Sequence, residues 1–463
     1  MADAESALAA GIEAYDAGRF EEAADAFRAA LAAGVDPVQA WTNLGAALTA
    51  SGRAAAAVAC YGRALTHDPE RAESLGNRGN AYHRLGDSIR AVEDLTRAAE
   101  LDPTEARWRR GLGVALLRAG RLAAALGAFD EGLALAPGDP QLEFLRGCAL
   151  LQLGRWAEGW PGYDRRFETG ELADRGFGAP QWDGAALEGR VLLLHAEQGH
   201  GDLIQFARFL PAALERAGGR VIVEVHPNLR RLFAASFPDA EVIGVGDPVP
   251  RHDLRLPWLS LARLVAHGPE TGLRADGGYL PAPAPDPARK AGRPRVGIAW
   301  KGNPRPWDRS CPLARILGLL EAADVELVSV QRDGAAEIER VGAQALIEDA
   351  TPGRRDFLDD AELVTGLDLV ITVDTAVAHL AGALGRPVWT LLTHATDWRY
   401  PPEGETTPWY PTMRLFRQPR PGDWEGAIAA AGAALAEWAA EGARRFPPGD
   451  PPGAEPPGPL RSP

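Results

Sequence analysis

"VITVDTAVAHLAGALGRPVW" occupies residues 370–389 and contains a complete strand–turn–helix–strand reading. Val370 to Val373 is an apolar run suited to a strand buried on both faces. Asp374 and Thr375 follow with the short oxygen-bearing side chains that open helices. Ala376, Ala378, Gly382 and Ala383 keep that helix slim against a sheet, and "PVWTLL" (387–392) starts the next strand. A helix N-terminus at the end of a buried strand is a ready seat for phosphate oxygens, and His379 lies close enough along the helix to reach one. On the plainer reading, Asp374 and Thr375 only cap the helix and His379 makes a polar packing contact.

Working outward, "RVGIAW" (295–300), "VELVSV" (325–330), "ALIED" (345–349) and "DLVITV" (368–373) read as further apolar strands separated by helical segments. That alternation implies a parallel sheet covered on both faces. "GIAWKGNPRPWDRS" (297–310) is then a polar loop at a carboxyl strand end, carrying Lys301, Asn303, Arg305, Arg309 and Ser310. Lysine occurs only at 290 and 301 in the whole chain, and its compact charge suits a diphosphate. A solvated loop charge is the alternative. "SVQRD" (329–333), with Gln331, and "RRDFLDDAELV" (354–364) also stand at strand ends, where a base or ribose could be held.

Upstream, "PAPAPDPARKAGRP" (281–294) reads as a linker. Before it, "RVLLLH" (190–195), "RVIVEV" (220–225) and "AEVIGV" (240–245) form a second strand series. Two Rossmann-like lobes would place a cleft between the carboxyl ends of their strands. "HAEQGHGDLIQFARFLP" (195–211) leaves the first strand through Gly199 and Gly201, which permit close approaches that a side chain would block. Asp202 stands at or near a helix N-cap, where its carboxylate can bond backbone N–H groups or do chemistry.

The first third is periodic. Glycines at 11, 45, 79, 113 and 147 step by 34 residues, as do those at 18, 52, 86, 120 and 154. Phe27, Tyr61, Leu95, Phe129 and Tyr163 keep the same step, as do Ala23, Ala57, Ala91 and Ala125. A small residue lets paired helices approach, the second glycine ends the first helix of each pair, and the bulky residue is expected to fill the gap to the next repeat. The pattern resembles the tetratricopeptide repeat, in five copies. Such arrays present a concave surface that holds extended peptides. Self-association or a spacer role is the alternative.

Bulk properties narrow the classes. A formal charge of -14 over 463 residues argues against nucleic acid or an anionic membrane as the main partner. Cys60, Cys148 and Cys311 lack paired spacing for disulfides or zinc. Neither a signal peptide nor a membrane span is expected, so a cytoplasmic protein is. The expected divisions are repeats over 1–170, a first lobe over 171–280, the linker over 281–294 and a second lobe over 295–440. The Pro/Gly-rich stretch over 441–463 is expected to be disordered.

"QGHGDLIQFARFLP", "VGIAWKGNP…DRS", "SVQ", "DLVITVDTAVAHLAGALGRPVWTLL" and "DWRY…PWYPTMRLFRQPRPGDW" together resemble bacterial tetratricopeptide-repeat glycosyltransferases. Their catalytic part is similar to glycosyltransferase family 9, the heptosyltransferases. The resemblance implies an α-solenoid followed by a GT-B fold, and metal-independent transfer from a nucleotide-diphosphate sugar with inversion. It casts Asp202 as general base, on a turn shared by Gly199, Gly201 and Gln205. It casts Asp374, Thr375, Ala376 and His379 as the diphosphate-holding helix start, with Lys301 or Arg309 as the basic partner; Asn303, Ser310 and Gln331 complete the donor side. Two departures are Ala376, where the family usually has glycine, and His200, where it usually has leucine. No cofactor or metal is implied, the sugar nucleotide being a substrate, and the acceptor is a protein or glycan brought by the repeats. A non-catalytic adaptor with a degenerate transferase-like module, or a sugar-nucleotide epimerase, are the competing readings.

Overall fold

The computed structural model describes residues 2–441 except 171, 173–174, 266–267, 269–270, 275–276, 282–291 and 305–307. The core of the expected linker and the C-terminal stretch from 442 therefore lie outside the described residues, as does Arg305. The chain forms two compact units, 1–171 and 172–463.

In the first unit, helices pair in sequence: α1 (Ala2–Asp16) with α2 (Phe20–Ala32), α3 (Pro37–Ala50) with α4 (Ala54–His67), and α5 (Ala72–Arg84) with α6 (Ser88–Leu101). Next come α7 (Ala106–Arg118) with α8 (Leu122–Leu135), and α9 (Pro140–Gln152) with α10 (Trp156–Tyr163). The glycines at 18, 52, 86, 120 and 154 all take the left-handed conformation that ends a helix sharply. Those at 11, 45 and 113 seat a ring. A Cβ there would lie 2.4 Å from Phe27, 2.6 Å from Tyr61 and 2.3 Å from Phe129 respectively. The bulky residue thus fills the socket of its own repeat rather than the gap to the next. At Gly147 the backbones themselves meet, a Cβ there falling 2.6 Å from the Tyr163 backbone nitrogen.

The second unit contains two sheets, parallel throughout. β1 (Leu192–His195), β2 (Val221–Val225), β3 (Glu241–Gly244) and β4 (Leu254–Pro257) lie in the order β3-β2-β1-β4. The other sheet comprises β5 (Arg295–Ala299), β6 (Glu326–Ser329), β7 (Ile347–Asp349), β8 (Leu369–Val373), β9 (Val388–Leu392) and β10 (Met413–Arg417). Its order is β10-β9-β8-β5-β6-β7. Both sheets are Rossmann-like, giving a GT-B-type pair of lobes after a helical solenoid. β4 and β10 were not among the expected strands. The strand order reverses at β1 in one lobe and between β5 and β8 in the other, and ligand crevices open at such reversals. The chain leaves β1 toward Gly199 and Asp202, β5 toward Lys301, and β8 toward Asp374.

Candidate active site

Leu192 to His195 are all buried, so the chain must leave the sheet sharply before α11 (His200–Phe206) can begin. Gly199 is the N-cap of α11 and Asp202 sits three residues in, its Oδ2 accepting from the Gly199 backbone N–H at 2.8 Å. Asp202 is therefore inside the first turn rather than at the cap. Gly201 touches the opposite lobe. A Cβ on it would lie 2.8 Å from His379 Cδ2 and 3.3 Å from Ala376 Cα. The opening glycine thus allows α11 to meet the start of α13 (Ala376–Ala383), the helix that follows α12 (Phe357–Thr365) and β8.

At that start, Thr375 is the N-cap and its hydroxyl accepts from Val377 N at 3.2 Å. The Asp374 carboxylate is not a cap. Its Oδ2 accepts from Arg309 Nη1 at 2.5 Å and its Oδ1 from Tyr400 Oη at 2.9 Å. His379 lies in the second turn of α13, 5% exposed, with Nδ1 2.8 Å from Tyr410 Oη and Nε2 4.0 Å from Asp374 Oδ1. Burial, reinforced by Arg399, pulls its pKa down to about 3, so the ring is neutral at ordinary pH. A neutral imidazole beside a helix start can offer one N–H but no charge.

The loop between β5 and the next helix is a closed excursion, since Cys311 N donates back to Trp300 O at 2.9 Å. Two expected donor-side residues brace it. Ser310 Oγ accepts from Gly302 N at 3.1 Å, and Gln331 Oε1 accepts from Lys301 N at 2.9 Å. Asn303 is exposed on the same loop. Lys301 is exposed too, and no carboxylate among the described residues pairs with its ammonium. Arg309, by contrast, is already matched to Asp374.

Asp202 meets the second lobe through Arg399, whose Nη2 donates to Asp202 Oδ1. The same guanidinium donates to Gln205 Oε1 at 2.8 Å and Asp397 Oδ1 at 2.6 Å. Burial pushes the Asp202 carboxyl upward while Arg399 pulls it back. Asp202 and Asp374 are therefore gripped by consecutive residues, Arg399 and Tyr400, and share one network. His200 is a packing residue. Its ring stands 4.6 Å from that of His226 and stacks at 5.3 Å on Phe357 of the other lobe. Arg231 adds a further cross-lobe contact, to Asp356 at 3.1 Å and Asp359 at 2.9 Å.

Asp397, Arg399, Tyr400 and Tyr410 stand in the "DWRY…PWYP" stretch that helps carry the family resemblance, but the sequence assigns them no role, because all lie on the irregular stretch 393–412, where no spacing rule applies. A second signal was composition: Trp398, Tyr400, Trp409 and Tyr410 are all buried there, and loops seldom bury so many rings.

Among the described residues, no cluster of His, Cys, Asp or Glu is grouped to hold a metal ion. No helix among them is long and apolar enough to cross a membrane.

Against known proteins, residues 8–72, 47–88 and 77–140 match the tetratricopeptide repeat model. Residues 319–419 match glycosyltransferase family 9 (heptosyltransferase). That segment includes Asp374, Thr375, His379, Arg399, Tyr400 and Tyr410, and excludes Asp202 and Lys301. Protein FlbA of Caulobacter vibrioides is 29% identical over 321 residues. The match takes in 61% of this chain and about half (53%) of that protein's length. Among solved structures, MamA is 24% identical over 36% of this chain and 99% of its own, with a TM-score of 0.31. A thermophilic TPR protein of Thermus thermophilus is 21% identical over 36% and 91%, with a TM-score of 0.32.

Proposed function

Starting from tetratricopeptide repeats joined to a glycosyltransferase family 9 segment, we propose that the chain is an inverting, metal-independent transferase. It moves a hexosyl or heptosyl unit from a nucleotide-diphosphate sugar to a protein or glycan hydroxyl in the cytoplasm. The repeats recruit the acceptor. The observation that carries this reading is the meeting of α11, which bears Asp202, with the start of α13, where a Cβ on Gly201 would lie 3.3 Å from Ala376 Cα, at the two strand-order reversals.

In this reading Asp202 removes the proton from the acceptor hydroxyl as its oxygen attacks the anomeric carbon from the face opposite the diphosphate. A carboxylate suffices because the proton leaves only as the new bond forms, and burial moves the carboxyl toward the working pH. The diphosphate leaves toward Lys301, Arg309, the first turn of α13 and His379, where fixed donors stabilise charge as it develops. Asn303, Ser310, Gln331 and Ala376 shape that side, Ser310 and Gln331 by holding the loop that carries Lys301.

The test is release of nucleoside diphosphate from a panel of donor sugars, with and without candidate acceptors, by wild type and Asp202→Asn. The variant should keep donor binding and lose at least about 100-fold in turnover. Near-normal transfer would return Asp202 to a helix-start role. Binding without turnover, for every donor and acceptor tried, would favour an adaptor instead.

A further inference from the structure

Arg399 is 8% exposed, and its guanidinium donates to Asp202, Gln205 and Asp397. One nitrogen meets Asp202, one Gln205 and one Asp397. Asp397 Oδ1 also accepts from the Arg399 backbone N–H at 3.1 Å, so one carboxylate clamps both ends of the residue. The guanidinium lies 4.4 Å from the Trp398 ring centroid, which restricts it further. Gln205 is fully buried and its Oε1 faces Arg399, while its Nε2 has no partner among the described residues. Its amide is thus turned for the arginine's benefit. Of the two Asp202 oxygens, one takes the Gly199 N–H and the other takes Arg399. The charges of Asp397 and Asp374 both repel that of Asp202, and the neutral His379 abuts Gly201.

Resting on the reading of Asp202 as the base, we propose that Arg399 is the positioning residue for proton removal: it fixes the carboxylate's direction and compensates its charge from the opposite lobe. Without it, Asp202 keeps a single hydrogen bond among the described residues and faces two repelling carboxylates. Proton removal thereby depends on the two lobes being together, because the cation that orients the base belongs to the lobe that holds the diphosphate.

Opposite-sign variants test this. The full chain is labelled with carboxyl-¹³C aspartate, and the Asp202 resonance is identified by its loss in Asp202→Asn. In Arg399→Gln the Asp202 titration midpoint should rise by about one pH unit or more, the effect of deleting an adjacent cation. In Asp397→Asn it should fall, since a repelling carboxylate is gone and Arg399 is freed toward Asp202. The acid limb of kcat/KM should move with the midpoint in each variant. An unchanged midpoint in Arg399→Gln, or shifts of one sign in both, overturns the inference while leaving the base assignment standing. If Arg399→Gln does not fold, Arg399→Lys should hold the wild-type midpoint; a risen midpoint there, or no fall in Asp397→Asn, overturns it. Full transfer by Asp202→Asn is the distinct failure, of the base reading itself, and leaves the pair a structural tie.

Discussion

Gly201 of the first lobe rests against His379 of the second so closely that one added methyl would lie 2.8 Å from the imidazole. Gly201→Ala should therefore either part the lobes or cost about 1–3 kcal/mol of stability, the penalty for overpacking a tight contact. Because Ala376 Cα also lies 3.3 Å away, moving the ring alone does not relieve it. Urea unfolding and donor turnover, measured together, check this; a variant unchanged in both would show the contact to be loose.

Acid should weaken the fold through its histidines. Burial holds His379 down to about 3 and His83 and His200 down to about 4, against an ordinary value of 6.5. Below pH 6.5 the unfolded chain takes up protons that these folded rings refuse, so stability falls as pH drops from 6.5 toward 4. His83→Gln, in the repeat unit, should flatten that slope. Stability curves from pH 4.5 to 7.5 that superimpose for wild type and variant would contradict it.

Among the described residues of its loop, Lys301 is a charge that no ion pair takes up. Lys301→Ala should weaken binding of a nucleoside diphosphate by about tenfold or more, the loss of one charge-assisted hydrogen bond, with little change in melting temperature. Arg309→Ala should differ by lowering stability as well, since it strands the 9%-exposed Asp374 side chain without its cation. Calorimetric titration read beside thermal unfolding separates the two.

In the repeats, Gly113→Ala sets a methyl 2.3 Å from the Phe129 ring, and the clash outweighs the helix preference for alanine. We expect a loss of about 1–3 kcal/mol, against about 3–5 for Phe129→Ala, which empties the socket. The double variant should lose less than the sum, because the new methyl enters the vacated space. Additive losses on chemical denaturation would mean the two residues do not share a socket.

What could be read beforehand follows from where each residue lies. The 34-residue step was plain because the same small-and-bulky pairing recurs in every repeat. β8 and the start of α13 were plain because a central parallel strand is apolar on both faces. β4 and β10 were missed for the converse reason. Both are edge strands, "LRLP" and "MRLFR", whose alternating residues resemble loop in so short a run. Asp202 and Asp374 were legible as motifs, but their connection was not. It runs through Arg399 and Tyr400, almost 200 residues from Asp202, and no local pattern encodes a partner that only folding brings near. Arg309 could be seen as a cation, while its engagement with Asp374 could not.

Phe27 on Gly11, Tyr61 on Gly45 and Phe129 on Gly113 each close a lock inside one helix pair, whereas the Trp108 ring crosses to the preceding pair, where a Cβ on Gly76 would lie 2.2 Å from it. Duplicating or deleting a whole unit would leave the locks inside the remaining pairs complete, but removing either the α5–α6 or the α7–α8 pair would break the one that joins Gly76 to Trp108. The reach of the array is thereby adjustable in steps of two helices as far as the packing inside each pair goes, while the Trp108 seam ties the third pair to the fourth.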